Sequence, residues 1–274
     1  MEDKMLRIFR VFLLVAGMTG MAMSSLLAQK VGYSVDEVPQ SLYEIPPRDL
    51  IDAPTAGTLP RGCFDIEMRV YSNGGILSRT SIGLSDRFMI GMSYGAEGII
   101  AESSTNRNPR IEFNVKLRLL DETYYMPAFA IGFNSQGYGA YIDDMERYTY
   151  KSKGFYAALS RSYDFHNISS GAHVGVNYSL ENDKDDEEEP TVFFGLDARF
   201  SYNLGLLLEY DMALNDDRSS VGYAKGRGYL NFGLKWFYSE NLELEVILKN
   251  LLLNRHEGAS TFGRELRFTY IEYF

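Results

Sequence analysis

The sequence predicts an all-β protein, a transmembrane antiparallel up-and-down β-barrel of about twelve strands, and three observations carry the prediction. The first is alternation with a period of two after residue 61. It is cleanest where Ile111, Phe113, Val115, Leu117 and Leu119 alternate with Glu112, Asn114, Lys116 and Arg118, one apolar face against one polar face. Strands in soluble sandwiches average about five or six residues. This run is about ten long, the length a tilted strand needs to cross a bilayer.

The second observation is parity. Connections after even-numbered strands are short (85–86, 121–125, 164–169, 202–203 and 239–241), and those after odd-numbered strands are mostly long (97–109, 137–152, 181–190, 214–226 and 250–264). Short periplasmic turns and long external loops are what an outer-membrane barrel requires. The exception is the tight turn Asn73-Gly74-Gly75.

The third is the stretch Glu265–Phe274, where Leu266, Phe268 and Tyr270 share one face and Phe274 comes last. Termini are usually frayed and polar, whereas a closing barrel strand pairs with the first strand and faces lipid throughout. Phe268, Tyr270 and Phe274 are therefore expected to form an insertion signal for the barrel assembly machinery. Glu272 interrupts this face. Either a bulge near Ile271 shifts the register, or Glu272 reaches the interface.

In chain order, residues 1–28 read as a secretory signal, with Lys4, Arg7 and Arg10 flanking an apolar core. Glu2 and Asp3 point to Met5 as the start of translation. Cleavage is expected after Ala28, with Ala22 and Ser24 as alternatives; an uncleaved anchor would need a longer apolar run. Removing these residues deletes two acidic and three basic side chains, moving the net charge from −10 to −11. Residues 29–61 form an extended lead-in carrying Pro39, Pro46, Pro47, Pro54 and Pro60. Proline cannot donate to a ladder, so this segment lies outside the sheet, either in the periplasm or inside the lumen as a plug. Residues 62–274 form the barrel, with strands expected over 64–70, 77–84, 88–95, 111–119, 126–136, 154–163, 171–180, 191–201, 204–213, 227–238, 242–249 and from 265 onward.

Composition agrees. Aromatic residues make up 14 %, with 20 Tyr, 17 Phe and one Trp, which favours strands and interfacial girdles over helices. The acidic balance argues against a nucleic-acid partner. Cys63 is the single cysteine; it lacks a lipoprotein setting and reads as a small strand-edge residue.

The inward face would carry acidic Asp65, Glu67, Glu112, Asp197, Glu209, Asp211, Glu243, Glu245 and Glu265 against basic Arg69, Arg79, Lys116, Arg118, Arg199, Lys235, Lys249 and Arg267. The signs nearly balance, so a cross-strand charge network filling a narrow lumen is expected rather than a basic, anion-selective pore. The acidic loop 181–189 lacks the glycine-turned spacing of a calcium loop and reads as solvated. Arg218, Lys225 and Arg227 are candidate partners for it. No metal or cofactor is expected. A lipid hydrolase needs a histidine beside a serine nucleophile. His166 falls in a turn next to Ser169, His256 falls in a loop, and His173 points inward with no serine two places on. No catalytic residue is assigned. A small solute channel is the main alternative function.

Several phrases resemble the YjbH-like family of bacterial outer-membrane barrels over most of residues 50–274. They are Asp52-Ala53-Pro54-Thr55-Ala56-Gly57-Thr58-Leu59-Pro60-Arg61-Gly62 leading into a Phe-Asp-Ile strand, the run Pro127 to Gly137, and Tyr178 with Glu209-Tyr210-Asp211 in similar strands. The resemblance implies a non-enzymatic envelope protein associated with exopolysaccharide production or export. Its partners would be outer-membrane lipid and polysaccharide or export proteins. The chain lacks a lipobox and is shorter than the larger members.

Overall fold

The computed structural model describes residues 45–100, 105–165, 168–181, 187–217, 224–255 and 262–274. All of them belong to one compact unit, Pro39–Phe274. The expected signal segment, the first part of the lead-in, His166, His256 and Arg218 lie outside the described residues.

The strands are β1 (Cys63–Tyr71), β2 (Gly75–Ser85), β3 (Phe88–Glu97), β4 (Asn106–Arg107), β5 (Glu112–Leu120), β6 (Ala128–Asn134), β7 (Tyr138–Ile142), β8 (Arg147–Tyr150), β9 (Gly154–Phe165), β10 (Ile168–Tyr178), β11 (Thr191–Arg199), β12 (Leu204–Asp211), β13 (Tyr229–Phe237), β14 (Leu242–Lys249) and β15 (Gly263–Tyr273). Twelve of them close into one antiparallel barrel. Each pairs with its neighbours in order, and β1 closes the ring by pairing with both β2 and β15. These twelve lie where the periodicity places them. The short β4 adds to the edge of β3, and β7 pairs with β8 as a separate hairpin.

That hairpin corrects the reading of 137–152 as a plain long loop. Tyr141 stacks edge-on against Tyr148 at 5.1 Å, and Glu146 takes a left-handed φ of 52° that closes the turn. Aromatic cross-strand contacts stabilise such a pair, but five-residue spans give little period to read. The three residues between β1 and β2, Ser72 to Gly74, turn through Asn73 and Gly74 at positive φ, 58° and 66°, a conformation that asparagine and glycine tolerate best.

Burial is inside out. Along β1, Cys63, Asp65, Glu67 and Arg69 are buried while Ile66 and Met68 are exposed; along β5, Glu112, Asn114 and Lys116 are buried while Phe113 and Val115 are exposed. The same alternation continues around the ring through Leu196, Leu206, Leu234, Val246 and Leu266, all outward and exposed. Water would penalise such a belt, whereas lipid solvates it. Among the described residues no helix is long and apolar enough to cross a membrane; here the strands are the crossing elements.

The last strand resolves the question posed by Glu272. The β1–β15 register runs unbroken from Val70↔Leu266 to Cys63↔Tyr273, with no bulge at Ile271. Glu272 stays on the outward register at the short-turn end. Its carboxylate accepts from the Tyr270 hydroxyl at 2.9 Å and from Asn241 Nδ2 at 2.7 Å. Phe274 lies 5.0 Å from the Phe64 ring, and its N–H donates to the Gly62 carbonyl at 2.9 Å. Phe268 and Tyr270 share the outward side with it.

Candidate functional site

The lumen is occupied by the chain's own lead-in. Residues 45–60 run in from the short-turn end, fold back, and return to the same end. Leu50 N–H donates to the Ala53 carbonyl at 2.9 Å and Thr55 N–H to the Arg48 carbonyl at 3.1 Å, which makes 50–53 the tip. Ile45 and Leu59, on the two limbs, pack into one cluster with Cys63, Met89, Ile271 and Tyr273. The Arg61 N–H and Thr58 hydroxyl both donate to Asp86 in the β2–β3 turn.

The wall is shaped to this segment. Leu50 and Ile51 pack on Leu207 and Ile247, Ala53 on Ala158 and Phe193, and Ala56 on Ala128 and Ala130. All these wall residues are inward positions at which the polar alternation gives way to apolar side chains. Two inward glycines make room as well. A Cβ on Gly195 would stand 1.9 Å from Leu50 Cδ1, and one on Gly83 would stand 2.1 Å from the Pro60 carbonyl oxygen.

Charge holds the rest. Asp49 pairs with Arg79 at 2.7 Å and Lys116 at 3.6 Å, Asp52 with Arg69 at 2.9 Å and Lys249 at 2.5 Å, and Arg48 with Asp65 at 3.1 Å. The backbone is gripped as closely. Glu209 accepts three consecutive N–H groups, from Ile51, Asp52 and Ala53, at 2.8–3.0 Å, and also accepts from Asn231. Arg267 donates to the carbonyls of Leu50 and Ile51, and Lys116 to those of Arg48 and Gly57. Behind these contacts the wall pairs with itself: Arg69 with Glu265 at 2.5 Å, Arg79 with Glu67 at 2.7 Å, Arg267 with Glu245, and Lys235 with both Glu243 and Glu245. A buried charge is tolerated only when it is compensated, and each of these has an oppositely charged group or a backbone partner within reach.

The β7–β8 hairpin enters the lumen from the long-loop end. Tyr138 lies beneath Arg69 and Lys249, at 4.5 Å and 4.6 Å from its ring centre. Arg147 makes a two-pronged contact with Asp216 at 3.0 and 2.9 Å, and the Tyr148 hydroxyl donates to Glu112 at 3.1 Å. Around the lead-in the spaces are small: one of about 20 Å³ lies among Asp52, Tyr138, Lys153 and Glu209, and another of about 10 Å³ lies beside Arg69 and Tyr138, each with room for about one water. A larger space of about 170 Å³ lies on the outer side of the hairpin, beside Arg110, Tyr141, Glu146 and Glu181.

The inward charges expected from the sequence therefore sort into three places. Asp65, Glu67, Arg69, Arg79, Lys116, Glu209, Lys235, Glu243, Glu245, Lys249, Glu265 and Arg267 form a central band around the lead-in. Glu112 and Asp211 serve the long-loop end, Glu112 with Arg110 and Tyr148, Asp211 with Lys153. Arg118, Arg199 and Asp197 lie towards the short-turn rim. There Arg118 pairs with Asp121 at 3.0 Å, and Arg199 stacks 4.2 Å over Phe237. Among the described residues no group of three or more His, Cys, Asp or Glu could hold a metal.

One cluster escaped the sequence reading. His173 Nδ1 lies 2.8 Å from Ser160 Oγ, and Nε2 lies 2.7 Å from Asp197 Oδ1. Looking two places along β10 for a serine missed it, because the partner sits across the strand pair: His173 is in register with Ser160 of β9. The Asp197 carboxylate can only accept, so Nε2 carries a proton towards it; in the neutral ring Nδ1 then accepts from Ser160 Oγ, which itself accepts the Ala56 N–H at 2.8 Å. The connectivity matches a hydrolytic triad but the geometry does not. A triad takes the serine proton on Nε2 and holds Nδ1–H with the carboxylate; the order here is reversed, and the lead-in's backbone caps the oxygen that would attack. The cluster is a relay that fastens Ala56 to the wall.

No protein-family profile matches the chain, and no curated protein does. Solved structures similar to it include the KdgM porin (10 % identity, TM-score 0.41, covering 76 % of this chain and 98 % of that one). The NanC porin is similar at 9 % identity and a TM-score of 0.42 (77 % and 99 %), and outer membrane protein Omp33 of Acinetobacter baumannii at 9 % and 0.42 (77 % and 97 %). Likeness this loose assigns neither a family nor a function.

Proposed function

We propose that this chain is a non-enzymatic outer-membrane barrel of a Gram-negative bacterium, held closed by its own lead-in, and that it serves exopolysaccharide production or export. The observation that carries the closed state is the lead-in itself, gripped by seven strands of the barrel wall through paired charges and backbone hydrogen bonds. The apolar outward belt and polar sealed interior support the membrane setting. With loop length sorted by parity, the short turns and both limbs of the lead-in face the periplasm. The exopolysaccharide role rests on the YjbH-like phrases.

Planar-bilayer recording tests the closed state: the intact chain should show no steady current, and deletion of 45–58 should produce one. A steady current from the intact chain would replace this reading with a small solute channel, which the polar wall also suits. Loss of exopolysaccharide on deletion of the gene, restored by the intact chain, tests the role. Phospholipid hydrolysis abolished by His173→Ala would turn the barrel into an enzyme. In this reading Phe268, Tyr270 and Phe274 serve insertion by the assembly machinery, so Phe274→Ser should lower the amount of folded protein in outer-membrane fractions; an unchanged amount would remove the terminal residue from that role.

A further inference from the structure

We infer that the lumen wall is a peptide-binding groove, and that residues 45–60 are a resident ligand able to leave it and return. The inference rests on the closed-barrel reading and adds how the closure is built. Three features of the wall address groups that any extended peptide has: the Glu209 carboxylate under three successive N–H groups, Arg267 on two successive carbonyls, and Ser160 on the Ala56 N–H. A second set selects this particular segment. Leu207 and Ile247 receive the apolar tip, Gly195 leaves space for Leu50, and the basic pairs Arg79–Lys116 and Arg69–Lys249 receive Asp49 and Asp52, three residues apart. Recognition of backbone, side-chain size and charge at separate points is how a groove binds a strand-like peptide.

Two further observations make the ligand removable. Among the described residues, no part of the lead-in joins the barrel sheet; its single bridge, Asp49↔Pro54, is internal. Both limbs also lie at the short-turn end, where Ile45 and Leu59 share one cluster, so withdrawal needs no threading. The ion pairs fix position more than they add strength. On release both partners regain the water they lost on burial, which cancels much of their mutual attraction. Lys116 and Lys249, which direct their charge to the lead-in, would then face a hydrated lumen.

The test is complementation in trans. A chain lacking 45–58 is recorded in planar bilayers, and a synthetic peptide spanning 45–60 is added to each chamber in turn. The expected result is a steady current, blocked in a saturable way by peptide added at the short-turn side. A peptide carrying Asp49→Asn and Asp52→Asn should block at least about tenfold less tightly, the equivalent of one lost charge contact. A steady current untouched by millimolar peptide from either side overturns the groove and leaves the closed-barrel reading standing. A truncated barrel as silent as the intact chain overturns both.

Should the truncated chain fail to fold, the full chain carrying Leu50→Cys and Gly195→Cys in a Cys63→Ala background decides the matter. The close approach of Leu50 to position 195 suits a cross-link. Oxidised protein should be silent and reduced protein should show transient openings. Silence in both states overturns the proposal.

Discussion

Two segments enter the lumen from opposite ends, and they are held by different physics. The described part of the lead-in, residues 45–60, has no secondary structure beyond one internal bridge and is moulded by the wall. The β7–β8 hairpin carries its own ladder and is fixed mainly through side chains: Arg147 on Asp216, Tyr148 on Glu112 and Tyr150 on Tyr229. They meet where Tyr138 lies against Arg69 and Lys249, the two cations that also hold Asp52. A segment that brings its own hydrogen bonds needs only an anchor. One that brings none needs a partner for each buried group, and the wall supplies them.

The contrast can be broken most forcefully at the hairpin's anchor. Arg147 and Asp216 are both essentially unexposed, and Asp216 also accepts from the Tyr229 hydroxyl at 2.6 Å. Arg147→Ala leaves that carboxylate buried without its cation, at a cost of about 3–5 kcal/mol. Thermal unfolding of the detergent-solubilised barrel should show the loss, while bilayer recordings should still show no steady current because the lead-in keeps its contacts. Steady current in this variant would mean that the two segments close the lumen as one unit.

Glu209→Gln acts on the other side of the comparison. The amide keeps the shape but weakens the acceptor beneath three N–H groups, a loss of about 2 kcal/mol on the scale of hydrogen bonds to charged groups. Openings should appear in bilayers, and protease added at the short-turn end should cut within 45–60. Gly195→Val should give a similar but smaller effect, about 1–3 kcal/mol of overpacking, because its Cβ would meet Leu50. If Gly195→Val stays closed and protease-resistant, Leu50 is not a fitted contact.

The smallest effect concerns the loops above the hairpin. Glu181 lies in the β10–β11 loop and accepts the Ser152 N–H at 2.9 Å. Burial pushes its carboxyl up to about 7 from an ordinary 4.5. The folded loop therefore binds the proton more tightly than the unfolded chain does, so stability rises as pH falls through about 7 and levels off below about 4.5. Hydrogen exchange at the Ser152 amide, corrected for intrinsic rate, should be slower at pH 5 than at pH 8. Glu181→Gln should remove the difference, and the lead-in's protection should not change.

Much of the fold was legible because lipid imposes a strict rule on a barrel: every second residue faces it. That rule placed β5 from Ile111 to Leu119 nearly to the residue, and it placed Glu272 on the outward register where the structure has it. What it could not show was how the inward residues choose partners. The exceptions to alternation were visible, in Leu207, Ile247 and Phe193 at inward positions and in Gly195 beside them. Their meaning needed a second segment to pack against. His173 shows the same limit, since its serine lies 13 residues away on the neighbouring strand and only register brings them together.

The sequence by itself determined the barrel, its strand number and its inside-out polarity, because period and loop length are local properties written along the chain. Tertiary structure alone decided that residues 45–60 fill the lumen and that Asp49, Asp52 and Glu209 have their particular partners. The physical reason is that a proline-rich segment has no ladder of its own to declare its place. Its conformation comes from burial and charge pairing with strands up to 217 positions away, and such contacts exist only once the ring has closed.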